Sequence, residues 1–100
     1  MVKGYPNAFV QTDLDERLKR LNASNLVLAG FMTHMCVNST ARGAFNLGYA
    51  PSVVAAATAT RSLPGPDGST VPASAVHTAS LAAVADMFAV VVPGASDIPD

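Results

Sequence analysis

Short apolar runs alternate with helical repeats along this 100-residue chain. Three leucines at helical spacing predict an amphipathic helix over 12–21, with Thr12 as its N-cap. The continuous apolar run at 26–30 predicts a strand buried on both faces. A second helical repeat predicts a helix over 34–47, and Gly48 is the left-handed residue expected to end it.

The second half of the chain repeats this order. Small and β-branched residues at 52–57 predict another buried strand, whereas the proline- and glycine-rich stretch at 61–72 predicts a loop. A further helix is expected to open at Ala73 or Ser74, and 89–92 predicts a third buried strand. Apolar strands that alternate with helices predict an α/β fold, a three-layer parallel sheet with flanking helices joined by right-handed crossovers.

Composition and charge limit the classes of function. Half of the residues are hydrophobic and 13% are charged, so the chain can build a core, and its length suits one domain over residues 1–100. A formal net charge of −1 offers no basic surface for nucleic acid. The apolar stretches are too short to cross a membrane, and one cysteine without a signal-like start predicts a soluble cytoplasmic protein.

The single cysteine, Cys36, lies six residues past Gly30, where a predicted strand ends. Loops at the carboxyl ends of parallel strands carry ligand sites. A helix beginning near Cys36 would direct N–H groups and a partial positive charge toward its sulfur, which favours the nucleophilic thiolate and could stabilise an oxyanion. The alternative is a buried structural thiol, since free cysteine usually packs as a small hydrophobe.

Two stretches resemble segments of the isochorismatase-like cysteine hydrolases. GFMTHMCVNSTARGAFNLGY resembles the nucleophile segment, and the matching residues are Gly30, Thr33, Cys36, Val37, Thr40, Ala41, Ala44, Gly48 and Tyr49. VKGYPNAFVQTDL resembles the lysine segment, and the matching residues are Lys3, Ala8, Phe9, Thr12 and Leu14. The resemblance covers nearly the whole chain, and two ordered motifs are far more specific than either alone.

The resemblance implies a Rossmann-like isochorismatase fold with Cys36 as nucleophile and Lys3 as the cation that keeps its thiolate charged. It also implies a cis peptide at Phe31–Met32, with the Met32 and Cys36 backbone N–H groups as the oxyanion hole. Relatives that carry the cysteine resemble amidases, which implies hydrolysis of a small amide or carbamoyl C–N bond through a thioester. Relatives are usually oligomers, so a homo-oligomer is implied as well.

One part of the family's machinery has no counterpart in this sequence. The catalytic aspartate of the family lies upstream of the lysine, and this chain begins two residues before Lys3. Asp13, Asp15 and Glu16 suit a helix N-terminus instead. The strand at 26–30 would then have one open edge. We therefore expect a C-terminal fragment of an isochorismatase-like domain that folds poorly and hydrolyses little on its own.

Four other residues are candidates for a substrate pocket. Asn7 and Phe9 follow the lysine, and Thr33 and His34 lie in the nucleophile loop. The alternatives are a turn residue, a core aromatic and a hydrogen-bonded loop histidine. His77 shares a helical face with apolar residues and is expected to be hydrogen-bonded and partly buried. Two histidines far apart in the sequence give no metal-ligand spacing, so neither a metal nor a cofactor is predicted.

Two other functions stay open at this point. A non-catalytic remnant could act as an interaction subunit through its open sheet edge, and an oxidisable thiol at a helix start could sense redox state. Alkylation of Cys36 distinguishes them. Reactivity that depends on Lys3 supports the hydrolase, an unreactive thiol supports the remnant, and reactivity indifferent to Lys3 favours the sensor.

Overall fold

A computed structural model describes residues 3–98 of the chain. The elements follow one another as α1 (Leu14–Arg20), β1 (Asn25–Phe31), a π-helical turn (Thr33–Val37), α2 (Asn38–Asn46), β2 (Ala50–Ala59), β3 (Leu63–Pro64), β4 (Thr70–Val71), α3 (Ala73–Ala85), β5 (Val90–Val92) and a 3₁₀ turn (Ala95–Asp97). None of the helices within these residues has the length and apolar character that a membrane span requires.

One parallel sheet, in the order β1-β2-β5, organises the fold. Leu28 of β1, Val53 of β2 and Val91 of β5 lie opposite one another in a single row. The chain passes from β1 to β2 through α2 and from β2 to β5 through α3, and both helices contact the sheet. A parallel sheet with flanking helices confirms the predicted α/β, Rossmann-like class. The carboxyl termini of all three strands therefore lie at the same end of the sheet.

The core lies between one face of this sheet and the two crossover helices. Its buried side chains come from the π-helical turn, α2, β2 and α3, namely Val37, Ala41, Val53, Leu81 and Val84. Full burial of each valine or leucine stabilises the fold by about 1.5–3 kcal/mol. Because Val37 belongs to this cluster, the core fixes the turn that also contains Cys36.

The opposite face of β1 is open in the described part of the chain. Residues along β1 alternate between half-buried and exposed, and Val27 and Phe31 expose 52% and 76% of their surface. The prediction of a strand buried on both faces is therefore wrong for β1. The reason is that the two crossover helices cover the face to which Leu28 points, whereas no helix of residues 3–98 buries Val27 and Phe31 on the opposite face.

Several element boundaries also differ from the predictions. α1 begins at Leu14 with Asp13 as its N-cap, and the hydroxyl of Thr12 donates to the Ala8 carbonyl at 2.5 Å and accepts from the Leu14 N–H at 3.4 Å. The helix predicted over 34–47 is divided into the π-helical turn and α2. The predicted loop at 61–72 contains the small antiparallel pair β3 and β4. The left-handed Gly48, with φ of 92°, is confirmed at the end of α2.

Candidate active site

Cys36 lies in the π-helical turn between β1 and α2. The Met32 carbonyl closes this turn by accepting hydrogen bonds from the N–H groups of Met35, at 3.0 Å, and Val37, at 3.3 Å. The thiol is half-buried and forms no disulfide. Its sulfur is thus held by a helical turn at the carboxyl end of β1. Ligands of parallel sheets bind at the carboxyl ends of the strands.

The ammonium group of Lys3 contacts the sulfur of Cys36. Nζ lies 3.1 Å from Sγ and 3.3 Å from the carbonyl oxygen of Tyr5. The structure therefore brings together the two residues that the resemblance assigns as nucleophile and cation.

A groove of about 320 Å³ borders this contact. Its lining includes Lys3, Cys36 and Thr40, and most of the remaining lining is the apolar run 27–31 of β1. Its volume is at the lower end of the range for small-molecule pockets. The groove therefore combines a charged ammonium and a thiol with a largely apolar lining.

The carboxylates that form salt bridges in the described part of the chain belong to α1 and its N-cap. The acids at the start of α1 pair with bases one turn further along, as Asp13–Arg17, Asp15–Lys19 and Glu16–Arg20. Lys3 takes part in no salt bridge within residues 3–98. The same residues contain no group of three or more His, Cys, Asp or Glu side chains that could hold a metal ion.

The peptide bond between Phe31 and Met32 is cis, as the resemblance implies. This bond joins the end of β1 to the residue whose carbonyl closes the π-helical turn. The assignment of the Met32 and Cys36 N–H groups as an oxyanion hole stays a prediction.

Neither Asn7 nor Phe9 lines the groove beside Cys36. Asn7 packs against Gly43 of α2, where an added Cβ would lie 2.5 Å from its Nδ2, and its Oδ1 accepts a hydrogen bond from the Phe9 N–H at 3.0 Å. The Phe9 ring stacks on Tyr49 with centroids 5.8 Å apart. Both contacts suit structural roles for these residues, and their place in a substrate pocket stays a prediction.

Thr33 and His34 hold the π-helical turn to its neighbours. Thr33 is 1% exposed, and its hydroxyl lies 2.9 Å from Nδ1 of His77 in α3. Nδ1 of His34 lies 2.6 Å from the hydroxyl of Thr60, the residue that follows β2. His77 is thus the hydrogen-bonded, half-buried histidine that the sequence predicts. A part for Thr33 and His34 in a substrate pocket stays a prediction. Thr60 was not predicted from the sequence, although its position at the carboxyl end of a strand could have indicated it.

A buried tyrosine joins α1 to the start of β2. The Tyr49 hydroxyl donates a hydrogen bond to Oδ1 of Asp15 at 2.6 Å. This bond raises the pKa of Tyr49 to about 12 and, together with Lys19, lowers the pKa of Asp15 below its usual 3.8. Since Phe9 stacks on the same ring, Tyr49 also contacts the segment that carries Lys3.

Comparison with known proteins gives consistent matches. The family described as Isochorismatase domain matches residues 1–96. The uncharacterized isochorismatase family protein YddQ of Bacillus subtilis is 42% identical over 91% of this chain and 50% of its own length. An isochorismatase from Pseudomonas putida is 44% identical, with a TM-score of 0.90 over 96% of this chain and 49% of the other.

A pyrazinamidase/nicotinamidase from Streptococcus mutans has the same fold at greater distance. It is 33% identical, with a TM-score of 0.77, over 92% of this chain and 45% of its own. The chain spans about half the length of the relatives that it matches.

Proposed function

The chain belongs to the isochorismatase family of hydrolases, and on that premise we propose that Cys36 and Lys3 are the reactive pair of a cysteine hydrolase. The observation that carries the proposal is the 3.1 Å contact between Nζ and Sγ. The thiolate is the form of cysteine that attacks a carbonyl, and the Lys3 ammonium is placed to donate a hydrogen bond to it. The position of the pair at the carboxyl end of β1 supports the same role.

The reaction proposed is hydrolysis of a small amide or carbamoyl C–N bond. The thiolate attacks the carbonyl carbon, and the oxyanion that forms accepts hydrogen bonds from the N–H groups of Met32 and Cys36. The C–N bond then breaks, the nitrogen leaves as ammonia or an amine after gaining one proton, and a thioester remains on Cys36. Water breaks the S–C bond, which releases the acid and restores the thiolate.

Proton delivery to the leaving nitrogen requires a general acid. Within residues 3–98, Lys3 makes no salt bridge to a carboxylate that could fill this role. The 100-residue chain on its own is therefore proposed to hydrolyse slowly. A carboxylate from additional polypeptide would complete the site.

The substrate is proposed to be a small molecule with a mostly apolar body. The apolar lining of the groove by residues 27–31 and its volume of about 320 Å³ support a compact substrate beside Cys36. The likeness to a pyrazinamidase/nicotinamidase makes nicotinamide and pyrazinamide suitable first probes. No cofactor takes part in the proposed steps.

Mass spectrometry tests this chemistry directly. The chain is incubated with each amide, quenched in acid and analysed as an intact protein, while ammonia release is followed in parallel. The expected result is an acyl adduct on Cys36 and ammonia release, both absent from the Cys36→Ala variant. Ammonia release that is unchanged in Cys36→Ala would contradict the proposal.

A second candidate function, an interaction subunit, is favoured by the open face of β1. The exposure of Val27 and Phe31 leaves an apolar edge strand available for pairing. Pairing of two copies through this edge would also give the homo-oligomer that the resemblance implies. Val27 and Phe31 also line the groove beside Cys36, so pairing through this face would cover the proposed substrate site.

A further inference from the structure

We propose that Thr40 is a positioning residue that holds Lys3 against Cys36, an inference that rests on the proposed function. Thr40 lies in α2, four residues after Cys36, and borders the same groove. Residues four apart on a helix lie one above the other on one face. Thr40 is therefore close to the reactive pair, although its hydrogen bonds run to neither member of it.

The hydroxyl of Thr40 connects two backbone groups of the lysine segment, residues 3–12. It accepts a hydrogen bond from the Ala8 N–H at 3.0 Å and donates one to the Pro6 carbonyl oxygen at 3.4 Å. A hydroxyl has one donor and two acceptor sites, so a single side chain satisfies both groups. A threonine inside a helix commonly returns its hydroxyl to the carbonyl four residues before it. The hydroxyl of Thr40 bonds instead to the lysine segment.

The lysine segment has few other attachments. In the described structure it contains neither helix nor strand. Besides its hydrogen bonds with Thr40 and the contact between Lys3 and Cys36, its hydrogen bond to another element is the one that the Thr12 hydroxyl accepts from the Leu14 N–H of α1, at 3.4 Å. Pro6 lies three residues from Lys3, so the Thr40 hydroxyl fixes the backbone from which the lysine side chain reaches the sulfur. Without it, we expect the ammonium to leave Sγ for solvent.

Gly43 lies on the same face of α2 and has no side chain that would collide with Asn7. Asn7, the residue between the two groups bonded to Thr40, packs so closely on Gly43 that an added Cβ would lie 2.9 Å from its Cγ. The lack of a side chain at Gly43 lets the segment approach the helix, and Thr40 then bonds it there. Together they form the surface of α2 on which the lysine segment lies.

Alkylation of Cys36 by iodoacetamide, followed against pH, tests this role without any substrate. Four chains are compared with the wild type: Lys3→Met, Thr40→Val, which keeps the shape but loses the hydroxyl, Thr40→Ser, which keeps the hydroxyl, and the Lys3→Met/Thr40→Val double variant. Lys3→Met is expected to slow alkylation near neutral pH about tenfold, because an opposite charge within 4–6 Å changes the ionised fraction by at least that factor. Thr40→Val is expected to show most of that loss and Thr40→Ser none. The double variant should be no slower than Lys3→Met.

Each other outcome overturns a stated claim. A wild-type profile for Thr40→Val, when Lys3→Met is shifted, overturns the role of Thr40 and leaves the reactive pair intact. A further loss in the double variant also overturns it, because Thr40 would then act by a route other than Lys3. Identical profiles for the wild type and Lys3→Met overturn the pair itself. If circular dichroism shows that Thr40→Val does not fold, Thr40→Ala provides the same test with a better helix former.

Discussion

Lys3 and Cys36, 33 positions apart in the sequence, meet with Nζ 3.1 Å from Sγ. Three local features bring them together. The π-helical turn fixes the sulfur at the end of β1, the buried Val37 anchors that turn in the core, and the lysine segment lies on α2. The proposed chemistry follows from this contact, and its consequences can be tested in several independent ways.

The Tyr49–Asp15 hydrogen bond predicts a pH-dependent stability. Because the folded-state pKa of Asp15 is lowered from 3.8, its contribution is complete above that value and is lost as the pH falls through the folded pKa. Because the pKa of Tyr49 is raised from 10.0 to about 12, its contribution is complete below pH 10 and is lost as the pH rises through about 12. Tyr49→Phe should therefore lower stability most between these limits.

Urea unfolding across pH measures this effect. The difference in free energy of unfolding between the wild type and Tyr49→Phe should shrink toward both extremes. Tyr5→Phe, at a tyrosine that is 46% exposed, is the matched control and should show no such dependence. A Tyr49→Phe difference that stays constant from acid to alkaline pH would rule out the assigned bond.

The Thr33–His77 contact predicts a cost for removing one hydroxyl. Thr33→Val keeps the shape of a buried side chain but leaves Nδ1 of His77 without its partner, which should destabilise the fold by about 1–3 kcal/mol. Thr33→Ser should retain most of the stability. Thr78→Val, at an exposed position of α3, is the control for loss of a hydroxyl. Equal unfolding midpoints for Thr33→Val and Thr78→Val would contradict the prediction.

Gly43→Ala should behave unlike an ordinary glycine-to-alanine change in a helix. Such a change usually stabilises a helix by about 1 kcal/mol. Here the new Cβ would meet the amide group of Asn7 at 2.5–2.9 Å, so the Asn7 side chain must move and lose its hydrogen bond to the Phe9 N–H, and alkylation of Cys36 should slow as the lysine segment loosens. In an Asn7→Ala background the obstruction is absent, and Gly43→Ala should then stabilise the fold. Equal effects in both backgrounds would show that Asn7 and Gly43 do not interact.

The open face of β1 predicts self-association that depends on one side chain. Val27→Asp places a charge on this face. It should lower the weight-average molecular mass that sedimentation equilibrium gives for concentrated samples. Leu21→Asp introduces the same charge at an apolar residue that is 76% exposed and lies just after α1. It should leave the mass unchanged. If both variants behave alike, the β1 face is not the association surface.

Much of the fold follows from local patterns in the sequence. The order of helices and strands, the parallel sheet and the left-handed Gly48 could be predicted because periodicity and glycine conformation act over a few residues. The exposure of Val27 and Phe31 could not, because an apolar run does not reveal whether another layer covers each face of its strand. The division of 34–47 into a π-helical turn and α2 has no periodic signal either.

The site was predictable in part, and only through the resemblance. Composition and spacing left Cys36 open between a nucleophile and a structural thiol, and they gave no reason to pair it with Lys3. The contacts of Thr33 with His77 and of His34 with Thr60 join residues 44 and 26 positions apart. Such contacts depend on how the crossover helices pack, which single-residue patterns do not encode.

Ultraviolet titration of the thiolate tests the central claim most directly, because Cys36 is the one cysteine of the chain. The absorbance of Cys36→Ala is subtracted from that of the wild type at each pH, which removes the tyrosine signal, and the same difference is taken for Lys3→Met with and without Cys36. The thiolate signal of the wild type is predicted to appear at lower pH than that of Lys3→Met. Two superimposable titration curves would contradict an electrostatic pair between Lys3 and Cys36.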